Sequence, residues 1–129
     1  MSDPAIYSAV LDGDMDKLNA LIAAGEDVNA REERYGDTAL MCAAAKYVFD
    51  PWIRTLIAAG AKVNATNNRG TTALIMAAAT GNEDPVKALI AAGANVNAKS
   101  ASGETPLKIA YSQHHPHIAE ILRAAGARD

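Results

Sequence analysis

The sequence has little that could anchor chemistry. It holds one cysteine, so no disulfide can form within the chain. Cys42 sits in the apolar run "ALMCAAA" and is expected to be a small core residue, with no activating histidine beside it. Only six of the 129 residues are aromatic, among them one Phe and one Trp, which excludes a thick aromatic core. No apolar run approaches the roughly 18 residues needed to span a bilayer. The opening "MSDPAIYSAV" has neither the basic start nor the apolar stretch of a secretory signal, so a cytoplasmic location is expected. Positive charge is scarce as well. A net charge of −3 is too mild, and of the wrong sign, for a nucleic-acid binder. No G-x-S-x-G, phosphate-cradling G-x-x-x-x-G-K-[ST] or H-E-x-x-H pattern occurs. A non-enzymatic chain without cofactor or metal is the expectation.

What the sequence has is alanine and repetition. Alanine accounts for 29 residues, which suits slender, closely packed helices. The segments "LIAAGEDVNA", "LIAAGAKVNA" and "LIAAGANVNA" begin at Leu21, Leu56 and Leu89, and "LRAAGA" follows at Leu122. Their spacings are 35, 33 and 33 residues. A second landmark, "GDTAL", "GTTAL" and "GETPL", starts at Gly36, Gly70 and Gly103, with spacings of 34 and 33. Two landmarks keeping one period define a repeat architecture.

Each unit reads as two helices and a turn. Thr38, Thr72 and Thr105 are placed to cap the first helix, and Pro106 to occupy its first turn. Gly13 and Gly81 mark the break between helices. Asp50-Pro51 and Asp84-Pro85 read as N-cap and first residue of the second helix. That helix ends in "LIAAG", where glycine suits a left-handed C-cap. Leu21, Leu56, Leu89 and Leu122 should be buried at equivalent positions, as should Ala43, Ala77 and Ala110. The Asn of each "VNA" (Asn29, Asn64, Asn97) reads as a turn residue whose side chain bonds nearby backbone.

Residues 69–98, "RGTTALIMAAATGNEDPVKALIAAGANVNA", and the later "GETPLKIA" and "AEILRAAGA" resemble the ankyrin repeat. The Ala-rich style is similar to that of bacterial members. The resemblance covers essentially the whole chain and implies an all-α solenoid of helix-turn-helix units joined by short hairpin-like turns. One domain, 1–129, is expected, with repeats at about 3–30, 31–65, 66–98 and 99–129, the outer two acting as polar caps. The family histidine after T-P-L is replaced by Met41, Ile75 and Lys108, which puts its hydrogen-bond network between repeats in doubt.

The resemblance also implies a concave binding side made of the hairpin tips and the first helices. Carried over position by position, the first tip offers Arg31, Glu33, Arg34, Tyr35 and Asp37. The second offers Asn68, Arg69 and Thr71, and the third Lys99, Ser102 and Glu104. The helices add Lys46, Tyr47, Thr80 and Gln113, with Ala79 and Ser112 beside the last two. The second repeat is 35 residues long and carries two insertions, in "REERYG" and "KYVFDPWIRTL". The latter holds Tyr47, Phe49 and Trp52. Phe49 and Trp52, with Val48, read as plugs for a missing turn glycine, while Tyr35 and Tyr47 are candidate contacts, since aromatics are favoured at binding hot spots.

"QHHPHI" brings together His114, His115 and His117, yet no cysteine is near and the carboxylates lack ligand spacing, so no metal is expected. The paired acids, Glu32-Glu33 among them, should be solvated or capping, with no burial to raise their pKa. Charge is unevenly spread: residues 1–50 carry ten acids and four bases, residues 51–129 five acids and eight bases. The resulting reading is a module that binds another protein on its concave face, as an inhibitor, immunity or accessory protein. It should be a monomer on its own and bind neither nucleic acid nor membrane. A self-associating assembly protein and an engineered ankyrin binder are the alternatives. Irregular repeat lengths and the free cysteine argue against the engineered one.

Overall fold

The computed structural model describes residues 3–47 and 51–128. Eight helices and no strand occur among them: α1 (Ala5–Asp12), α2 (Met15–Ala23), α3 (Ala39–Lys46), α4 (Pro51–Ala58), α5 (Ala73–Thr80), α6 (Glu83–Ala91), α7 (Pro106–Ser112) and α8 (Pro116–Ala124). None is long and apolar enough to cross a membrane. They pair as α1/α2, α3/α4, α5/α6 and α7/α8, and the first helices α1, α3, α5 and α7 stack on one another in chain order. The second helices touch each other much less. The stack therefore bends toward the first-helix side.

Alanine explains the close approach. Ala43, Ala77 and Ala110 are fully buried, as expected, where a longer side chain would force the helices apart. Leu56, Leu89 and Leu122 are fully buried too. Leu21 differs: it is only half-buried. At the other end, Lys108 and Tyr111 are exposed where their counterparts Ile75 and Ala78 are buried.

The caps follow the sequence closely. Thr38, Thr72 and Thr105 each accept a hydrogen bond from the backbone N–H three residues on. One start is corrected. The N-cap of α6 is Asn82, not Asp84, and Glu83, Asp84 and Pro85 form its first turn. First-turn N–H groups have no partner within the helix, so proline fits there equally well. Asp50 lies outside the described residues, and α4 begins at Pro51.

The repeated "LxAAG" closes each second helix in the same way. Gly25 and Glu26 donate to the carbonyls of Ile22 and Leu21, and the same two bonds recur at Gly60, Gly93 and Gly126. This is the Schellman closure, which needs a left-handed residue. Gly60 has φ of 99° and nothing within 4 Å of where a Cβ would stand, so backbone conformation alone selects glycine there.

The "VNA" asparagines are the second correction. They do not bond their own turns. Asn29 Nδ2 donates to the Gly60 carbonyl at 3.1 Å while its Oδ1 accepts from Lys62 N–H at 2.7 Å. Asn64 does the same with Gly93 and Asn95, and Asn97 with Gly126 and Arg128. Each side chain bridges 29 to 33 residues forward into the following unit. This ladder ties successive units together at the turns that follow their second helices.

Candidate protein-binding face

The tips are ordered from within. Glu32 caps its turn, one of the two roles expected of it, but contrary to expectation it is buried, only 6 % exposed. Its carboxylate accepts from the backbone N–H groups of Arg34, Tyr35 and Asp37 at 2.7, 2.7 and 3.1 Å. Burial pushes its pKa up, but those three donors and the nearby Arg34 charge outweigh burial and hold it below the ordinary value. Asn67 fills the same place in the next tip, accepting from Arg69 and Thr71, and Ser100 in the third, accepting from Glu104. The tips are also linked in series. Asn68 N–H donates to the Tyr35 carbonyl, and Ala101 N–H to the Arg69 carbonyl, both at 2.9 Å.

Two residues expected at the surface act as ties between tips. Arg31 donates to the carbonyls of Gly36 and Thr66. Asp37 accepts from Asn67 Nδ2 at 2.8 Å. The others line recesses. Glu33, Arg34 and Tyr35 join Asp3, Tyr7, Leu11 and Glu32 around a groove of about 590 Å³ between α1 and the first tip. Arg69, Thr71, Ser102 and Glu104 rim a second groove of about 280 Å³, floored by Ile75, Met76, Ala79 and Ile109. Between them the Arg69 guanidinium lies 5.0 Å from the Tyr35 ring centroid, with Arg34 at 5.8 Å. Asn68 is exposed beside Arg69. Lys99 lines a third recess with Lys108 and Arg128.

Four helix positions fall elsewhere. Thr80 ends α5 and bonds the Ala77 carbonyl, and Gln113 is the C-cap of α7, so both lie at the far ends of their helices from the tips. Lys46 and Tyr47 reach back to the first unit. Lys46 Nζ donates to the Leu11 carbonyl and Tyr47 OH to the Val10 carbonyl. The Tyr47 ring stacks on Trp52, centroids 4.6 Å apart, and Trp52 is half-buried against the core. Tyr47 is thereby engaged in packing, together with Trp52. Val48 and Phe49 lie outside the described residues.

Sequence reading missed Tyr7, Leu11, Met76 and Ile109. The signal was there: aligning the first helices puts Leu11 in register with Ala79, and Met76 with Ile109, on the side facing the tips.

The three histidines diverge. His114 takes the left-handed turn, φ 62°, where the preceding unit has Gly81. His115 Nε2 contacts the Ala79 carbonyl at 3.2 Å, and His117 the Glu83 carboxylate at 2.9 Å. Among the described residues no group of three or more His, Cys, Asp or Glu side chains is placed to hold a metal ion. Cys42 is buried, and burial pushes its thiol up to about 11, so it stays protonated at neutral pH.

The sequence matches the family described as ankyrin repeats (3 copies) over residues 6–100 and, in an overlapping alignment, 44–128. No curated protein matches it.

Proposed function

Because the chain belongs to the ankyrin-repeat family, whose members are generally protein-interaction modules, we propose that it docks a protein partner on the face built by its tips and first helices. The observation that carries this reading is the pair of grooves on that face. Both have apolar surface rimmed by charged and hydroxyl groups, with Tyr35 and Arg69 exposed between them. Tyrosine and arginine are enriched at the energetic centres of interfaces. This face is also where the units differ, whereas the residues they share hold the stack together. Glu33, Arg34, Tyr35, Asn68, Arg69, Thr71, Ser102 and Glu104 are the contact residues of this reading, and Lys99 extends the surface. The protein would act by occupying its partner, as an inhibitor, immunity or accessory protein.

The test is a hydrogen-exchange footprint on the complex with the partner captured from the source lysate. Slowed exchange in 31–37, 66–71 and 99–104 is expected. Protection confined to α4, α6 and α8 would move the site to the outer helices.

A further inference from the structure

Of the two grooves, the one between α1 and the first tip has a chemistry of its own. Leu11 and Tyr35 are 41 and 42 % exposed, two of the three large apolar side chains left open among the described residues, and both line it with Tyr7. Its charged lining is mostly acidic: Glu32 is taken up by the tip's own N–H groups, which leaves the exposed Asp3 and Glu33 carboxylates beside the guanidinium of Arg34. Arg34 is turned onto the Tyr35 ring. The groove also lies in the half of the chain that carries ten acids and four bases. An anionic segment would be repelled here. A purely apolar one would cover the Asp3 and Glu33 carboxylates with only Arg34 as a cation in the lining.

We propose that this groove takes a lysine or arginine side chain of the partner, flanked by an apolar residue. The apolar residue lies against Leu11 and Tyr35. The cation sits between the Glu33 and Asp3 carboxylates and can use the Tyr7 ring face, an arrangement that oppositely charged and aromatic groups favour together. The inference rests on the tip-and-first-helix reading but is narrower, because it fixes the partner's charge at one end of that face.

A random dodecapeptide display library is the probe, selected on the native chain. A Leu11→Lys/Glu33→Lys variant is the counter-target. Both positions are exposed, so the variant should melt with the native chain. Selected peptides are expected to place Lys or Arg beside Leu, Met or an aromatic. A synthesised winner should lose about tenfold or more in affinity for the variant. Its binding should also weaken as salt rises from about 0.05 to about 0.5 M. Acidic or uncharged winners, winners that bind both proteins equally, or no enrichment above background would each overturn the proposal. An Ala79→Arg variant, which fills the second groove, separates the two claims. Winners lost there but kept by the double variant overturn the charge assignment while leaving the binding face in place. Winners indifferent to both variants count against both claims.

Discussion

The first helices of the second and third units end in two ways. In the third, α5 ends at Gly81 with φ 77°, and the His115 ring of the next unit lies where a Cβ would stand, 2.5 Å away. That histidine bonds the Ala79 carbonyl behind it. In the second, α3 ends at Tyr47 in an extended conformation. There Tyr47 and Lys46 bond the Val10 and Leu11 carbonyls, while the Tyr47 hydroxyl sits 3.3 Å from a Cβ placed on Gly13. The fourth unit's His115 thus holds the last turn of α5, and the second unit's Lys46 and Tyr47 hold the last turn of α1. The second unit, which carries the insertion, makes its tie through Lys46 and through Tyr47, whose ring stacks on Trp52.

Substitutions can break this comparison, the largest first. Leu56→Ala and Leu89→Ala should each cost about 2–5 kcal/mol in denaturant unfolding, by similar amounts, since both leucines are fully buried. Leu21→Ala, half-buried, should cost less. A markedly smaller loss for Leu56 than for Leu89 would mean that the second unit does not share the scaffold.

Tyr47→Ala removes a hydrogen bond and an aromatic stack, for an expected loss of about 1–3 kcal/mol. Gly81→Ala should fall in the same range, because it adds left-handed strain and meets the His115 ring. If Tyr47→Ala were neutral, the tie described for it would be wrong. Asn64→Ala deletes both bonds to the third unit's turn and should cost about 1–3 kcal/mol by thermal or denaturant unfolding. Thr38→Ala and Thr72→Ala should each cost about 1 kcal/mol, alike in the two units, as lost N-caps do.

The smallest effect distinguishes the tips. Glu32 holds the first tip through an ionised carboxylate, whereas Asn67 holds the second with a neutral amide. The pKa of Glu32 is lower folded than unfolded, so its contribution is fully present above the unfolded value. It is lost as pH falls from about 4.5 through the lower folded value. Glu32→Gln should flatten that part of the stability-versus-pH curve.

The sequence made the period, the threonine caps, the glycine closures and the alanine core legible, because each depends on local geometry or on a residue's size. Partners chosen across units were not legible. Asn64 looks like any turn asparagine until the next unit's Gly93 carbonyl is placed beside it. Glu32 reads as a solvated or capping acid, and its burial on three N–H groups follows only from how the tip closes. Tyr47 reads as a contact because nothing local says that Val10 offers it a carbonyl. At the candidate site, the tip residues bordering the grooves could be named from the repeat register, but the floor residues Met76 and Ile109 needed the helices to be set side by side.

The central claim is that shared residues build the stack and divergent ones on the tip side bind. Capture of the partner by a Tyr35→Ala/Arg69→Ala variant, beside Asn64→Ala at a temperature where both are folded, tests it most directly. The account predicts that the first loses the partner and the second retains it. Retention by the first with loss by the second would contradict it.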